Sequence, residues 1–176
     1  RNVRAHLWDV KRQKFIPHIY PEKSPIPEGF DELAIHYHGG TAIAIEAGLL
    51  SKDEIRTVNA QMLENVRLSG MPSIGLTLYP VYPDGFFHGG MSKAYLYQNG
   101  GDWTWFGGRM IQQLVVNGMV EEAYAEIHPM IERVIQNDGF YEWYGKGGVP
   151  SGSGNFKGSA GVLSKAIELL RAVSYT

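Results

Sequence analysis

Asn99-Gly100-Gly101-Asp102-Trp103-Thr104-Trp105-Phe106-Gly107-Gly108-Arg109-Met110-Ile111-Gln112-Gln113-Leu114-Val115-Val116 runs from a glycine-rich loop into a segment that is apolar around most of a helical circumference. A helix over about Trp103 to Val116 with that distribution belongs inside a protein, since it offers water no continuous polar face. The same succession occurs twice more. His38-Gly39-Gly40 precedes an apolar helix over about Thr41 to Ala47, and Gly152-Ser153-Gly154 precedes one over about Ser159 to Val173. A spacing of roughly 55 to 60 residues makes this an internal repeat.

Helices of a second kind lie between these. Ser51-Lys52-Asp53-Glu54 is a capping box, in which the Ser hydroxyl and the Glu carboxylate satisfy each other's orphan amides. Ile55, Val58, Met62, Leu63 and Val66 then mark one helical face, and Gly70 supplies a left-handed stop. Another amphipathic helix is predicted from about Met119 to Asn137, with Val120, Ala123, Ile127, Ile131 and Val134 inward and a kink at Pro129. Arg1 to Trp8 reads as the tail of a third, begun upstream. Outer and inner helices alternate, so the predicted class is all-α: an α/α hairpin repeat of about three helix pairs, forming half of an (α/α)6 toroid with long loops. Strand signals are confined to a short edge ribbon at Lys14 to Tyr20, after Trp8-Asp9, and to an alternating stretch at Ile74 to Tyr79.

An arc of three hairpins leaves two apolar flanks bare. An upstream half of the domain, or a second copy, is expected to cover them. The 176 residues are read as one unit, with 16 Lys plus Arg against 18 Asp plus Glu. A net charge of −2 and the absence of any basic run exclude a phosphate-tracking surface, so no nucleic-acid partner is expected. No apolar stretch is long enough for a bilayer, so no membrane partner is expected either. Zero Cys removes disulfides, thiolate metal sites and a thiol nucleophile. The N-terminus, Arg1-Asn2-Val3-Arg4, has neither an initiator Met nor a signal core, and compartment is not legible.

Four Trp, ten Tyr and seven Phe accompany 22 Gly. Rings with polar edges suit pyranose faces, and they also suit a large core. Three loop segments concentrate them: His36-Tyr37-His38-Gly39-Gly40, then Tyr97-Gln98-Asn99 through Arg109, then Phe140-Tyr141-Glu142-Trp143-Tyr144 with the Gly-rich run to Phe156. Under the toroid reading, all three sit on one face.

In these motifs the sequence resembles the six-hairpin glycosidases, in particular the trehalase and glycoside hydrolase family 63 branch. Leu7-Trp8-Asp9 with its Phe/Tyr ribbon, Tyr97-Gln98-Asn99-Gly100 through Trp103, and Phe140-Tyr141-Glu142-Trp143-Tyr144 followed by Phe156-Lys157-Gly158-Ser159-Ala160 carry the resemblance. It covers about Trp8 to Leu170, as the second half of a family catalytic domain. The resemblance implies a carbohydrate substrate, no cofactor, and Glu142 as catalytic base. The family's acid, an Asp in a Ser-Gly-Trp-Asp-like segment, has no counterpart here, and Gly158-Ser159-Ala160 replaces the Trp-Thr-Asn of trehalases.

Inverting hydrolysis needs a protonated acid and a water-activating carboxylate roughly 6.5 to 9.5 Å apart. Glu142, between the rings of Tyr141 and Trp143, is the candidate base. Asp102 opens a helix, where an acid caps amides; its other roles are a contact to sugar hydroxyls or the missing acid. Arg109 is a candidate substrate contact and is expected to order Asp102 or a neighbouring acid. Trp103, Trp143 and Tyr144 are candidate stacking rings, and Gln98 and Asn99 candidate hydroxyl partners. Glu46, isolated in an apolar helix, is either paired or a substrate contact.

His36 and His38 alternate onto one side of an extended segment. They suit an acid–base pair of the N-acylglucosamine 2-epimerase type, a sugar contact by His38, or metal ligation. A metal would need a third ligand such as His18 or His88, and no metal is expected. A third reading is a non-catalytic carbohydrate-binding fragment. Gly147 to Gly154 lacks a Lys-Ser/Thr ending and is no phosphate loop. No nucleophile-elbow pentapeptide occurs.

Overall fold

A computed structural model describes residues 2–174; Arg1, placed above in the N-terminal helix, lies outside the described residues. The order is α1 (Asn2–Leu7), β1 (Trp8–Asp9), β2 (Lys14–Phe15), β3 (His36–Tyr37), α2 (His38–Glu46), α3 (Lys52–Ser69), β4 (Leu78–Tyr79), α4 (Thr104–Val116), α5 (Val120–Gln136), β5 (Trp143–Tyr144), β6 (Pro150–Ser151) and α6 (Lys157–Ser174). The chain is mostly helical, with six helices among the described residues, and every strand is two residues long.

The capping box forms as its residues require: Glu54 N donates to Ser51 Oγ at 3.3 Å, and Ser51 N donates to Glu54 Oε2 at 2.8 Å. Gly70 ends α3 in the left-handed region, with φ 68°. Helix α5 runs through Pro129. Helix α4 packs between α2 and α6 and also against α5. Its Met110, Ile111 and Leu114 are at most 1% exposed and join Ile45, Ile127 and Leu163 in one core. Each such side chain contributes about 1.5–3 kcal/mol on leaving water.

Two of the glycines expected in loops lie in the first turn of α2 instead. A Cβ at Gly39 would enter the Phe106 ring, so glycine there lets the start of α2 lie flat on α4. Close approach therefore extends α2 back to His38, three residues before the expected start. Gly107 does the same for α4, where a Cβ would enter Met130 and the Gly75 backbone.

The loops preceding α2, α4 and α6 are laced together. His36 pairs with Tyr79, Leu76 with Asp102, Asp102 with Tyr144, and Trp143 with Ser151. Thr77 strengthens the seam, donating its amide to Gly101 O at 3.0 Å and its hydroxyl to Gln98 O at 3.0 Å. Of the ribbon expected over Lys14 to Tyr20, only Lys14–Phe15 is strand, pairing with β1 so that Trp8 lies opposite Phe15. Extended pairing is thus more extensive than two isolated strand signals suggested. Among the described residues, no helix is long and apolar enough to cross a membrane.

Candidate functional site

The expected site residues divide between sealed and solvent-accessible positions. Asp102 is sealed, with none of its surface exposed. Its Oδ1 is 2.8 Å from Arg133 Nη1, and its Oδ2 accepts from the Ser73 hydroxyl at 2.7 Å. Arg133 also donates to Thr104 Oγ1 at 2.6 Å and lies 4.0 Å over the Tyr144 ring. Asp102 therefore caps nothing and touches no solvent. The N-cap of α4 is Trp103, which makes no side-chain cap bond. The expected roles of Asp102 as acid or sugar contact give way to that of an internal brace, because all its acceptors face protein.

Asn99 and Tyr144 are sealed as well. Asn99 Oδ1 accepts from Tyr82 N at 2.9 Å, and its Nδ2 donates to Tyr82 O at 3.1 Å, so its amide clasps backbone instead of sugar. Tyr144 is wholly buried beneath Arg133, and burial raises its phenol pKa. Trp103 is 5% exposed, with Nε1 donating to Tyr97 O at 3.1 Å. Its expected stacking face is occupied by Tyr97, Phe106 and Phe156.

Gln98, Trp143 and Glu142 keep exposed surface. Gln98 is exposed and, with Tyr37, Gly39, Gly40 and Phe106, lines a small cleft of about 120 Å³ at the start of α2. Half-buried Trp143 meets half-buried Tyr97 edge to face at 6.3 Å. Glu142 is half-buried; its amide donates to Ser153 O at 2.9 Å, while its carboxylate accepts only a long contact from Ser153 N at 3.4 Å. Gly152 lies flush against that carboxylate, where a Cβ would meet Glu142 Oε2 at 2.5 Å. The Gly-Ser-Gly loop thus shapes one wall around an acid that keeps most of its acceptor capacity.

Arg109 pairs with Glu46 at 2.7 Å, not with Asp102, and its guanidinium lies 4.4 Å over Trp105. The two residues whose partners the sequence left open are each other's partners, on α4 and α2. His36 and His38 differ in exposure, and Asn65, which bonds His38, also lines the cleft beside His36. His38 is 2% exposed, its Nε2 accepts from Asn65 Nδ2 at 3.0 Å, and burial lowers its pKa to about 3. His36 lines an open cleft of about 780 Å³ with Lys14 and Asn65; burial, then the Lys14 charge, lowers its pKa to about 4. Among the described residues, no group of three His, Asp or Glu is arranged to hold a metal.

Two buried acids escaped the sequence reading. Glu32 accepts from Tyr82 Oη at 2.6 Å, His18 Nδ1 at 2.7 Å and Tyr20 Oη at 2.9 Å. Burial alone would raise its pKa, but these three donors hold it below the ordinary value. The second, Glu126 on α5, accepts from Asn59 of α3 at 2.6 Å. A helical wheel contained the signal for it: Glu126, Met130 and Arg133 form one stripe beside the apolar face. Glu32 had no such signal, since its phenolic partner Tyr82 is fifty positions away along the chain.

No protein family matches the chain at the level of sequence, and no curated protein does.

Proposed function

We propose that this chain is the C-terminal half of a six-hairpin glycosidase domain, three helix pairs of an (α/α)6 toroid. It acts in inverting hydrolysis of an O-glycosidic bond. Glu142 is the general base, and Trp143, Tyr97 and Gln98 offer rings and an amide to the sugar. The upstream half supplies the acid and covers the apolar flanks.

One observation carries this reading: the loops before α2, α4 and α6 pair with one another, and Glu142 in the last of them is half-buried with its carboxylate nearly free of protein donors. A base must reach a water held against substrate, which a sealed carboxylate such as Asp102 cannot do without breaking its ion pair. The epimerase reading draws no support from His38, which is enclosed. The test is a panel of nitrophenyl glycosides and disaccharides, assayed with the polypeptide that carries this chain and with its Glu142→Gln variant. Loss of turnover with retained sugar binding supports the reading. Turnover unchanged by the substitution contradicts it.

A further inference from the structure

The long loop between β2 and β3 sets an exposed histidine against a buried carboxylate. Glu32 is 9% exposed, and its Oε1 accepts from the buried Tyr82 hydroxyl at 2.6 Å, from Tyr20 Oη at 2.9 Å and from His18 Nδ1 at 2.7 Å. Because these donors keep Glu32 below its ordinary pKa, at neutral pH the carboxylate accepts and Nδ1 carries the proton. That fixes the tautomer, and the lone pair falls to Nε2. Among the described residues, the ring makes its hydrogen bonds through Nδ1, the second being a 3.1 Å contact with Tyr20 Oη, while the side chain is 46% exposed. The other His–Glu pair, His128 and Glu132, lacks this arrangement: it is 3.6 Å apart, with side chains 57% and 61% exposed.

A carboxylate already in place behind Nδ1 stabilises the positive charge that develops on an imidazole when Nε2 attacks an electrophile. Charge selects the electrophile. His18 meets Glu32, the Tyr20 ring at 5.6 Å and the Tyr37 ring at 6.1 Å, and no Lys or Arg pairs with Glu32. An anionic phosphoryl donor finds no counter-charge there, whereas a neutral carbonyl needs none. Pro17 and Tyr37 also line an apolar cleft of about 270 Å³ with Leu7, Phe15 and Ile16, which gives a hydrocarbon group a place to lie. We propose that His18 is an acyl-accepting nucleophile for uncharged, activated esters with an aryl or short apolar part, and that Glu32 is its positioning residue. Nε2 adds to the ester carbonyl carbon, and the bond from that carbon to the leaving oxygen breaks, its electron pair departing as the alkoxide or phenoxide. Glu32 balances the acylimidazolium through Nδ1–H. Water then adds to the acyl carbon and the C–N bond breaks; one water proton stays with the carboxylic acid, the other neutralises the leaving group, and the imidazole is regenerated. This activity does not depend on the glycosidase reading.

The probe is para-nitrophenyl acetate, with nitrophenolate release followed by absorbance and acid-quenched peptides read by mass spectrometry. Release by the protein exceeds release by its His18→Gln variant at least about tenfold, and acetyl is found on the peptide carrying His18 but not on the one carrying His128. His128→Gln leaves the rate unchanged. Glu32→Gln lowers the rate at least about tenfold, and Glu32→Asp, which keeps a carboxylate for Nδ1, recovers part of the loss, a rescue that a purely structural role would not give. Circular dichroism checks that each variant is folded, and His18→Gln, at an exposed position, decides the matter where a Glu32 variant does not fold. A rate unchanged in His18→Gln, or acetyl spread equally over His18 and His128, overturns the proposal.

Discussion

The Asp102 carboxylate lies 2.8 Å from the Arg133 guanidinium, with the two side chains 0% and 6% exposed. This one pair ties α5 to the loop before α4 and, through the Tyr144 ring beneath Arg133, to the loop before α6.

Breaking that pair from one side is therefore costly. Asp102→Asn or Arg133→Met is expected to destabilise the protein by about 3–5 kcal/mol, since each leaves the other charge buried and alone. Urea unfolding followed by circular dichroism measures the loss. The double variant should lose less than the two single losses combined. Additive losses would show that the charges do not interact.

Glu126 makes stability depend on pH in an unusual direction. Burial raises its pKa from 4.5 to about 7, so in that window the folded state holds a proton that the unfolded chain has released. Stability from this group falls as pH rises from 4.5 to 7, by roughly 3 kcal/mol in the limit. Glu126→Gln flattens this part of the profile and leaves the variant more stable than the parent above pH 7. Thermal unfolding across the range checks the sign.

His38 acts in the opposite sense. Its folded pKa is lowered from 6.5 to about 3, so between those values the unfolded chain binds a proton that the folded state refuses. Stability is lost as pH falls through this window. His38→Gln preserves an acceptor for Asn65 and removes the titration, so its acid limb should be shallower by the slope of one proton. An unchanged limb would place the acid sensitivity elsewhere, with half-buried His36 as the next group to test.

Helices were legible because periodicity and capping are local. Ser51, Glu54 and Gly70 bracket α3 through local signals, although Glu54 also accepts from Arg4 at 2.8 and 2.9 Å. Of the three helices read as buried, α4 exposes only Val116, whereas α6 keeps a solvent face with Lys165, Glu168 and Arg171. The start of α2 was misread because Gly39 is helical only where Phe106 lies on it, a contact between elements. Of the residues named as a site, Gln98, Trp143 and Glu142 keep exposed surface. Asn99, Asp102 and Tyr144, which read as ligands by residue type, are sealed by partners that no local pattern connects to them. Arg133 was the decisive omission, being 31 positions from Asp102 and lying beside the face whose apolar spacing marks it as inward.

Glu142→Gln bears most directly on the central proposal, because Gln preserves the shape and the Ser153 contact while removing the base. Turnover of a responsive glycoside by the polypeptide carrying this chain is expected to fall about 10³-fold in kcat, with KM little changed. Turnover at the parental rate would mean that Glu142 activates no water, and the glycosidase assignment would fail with it.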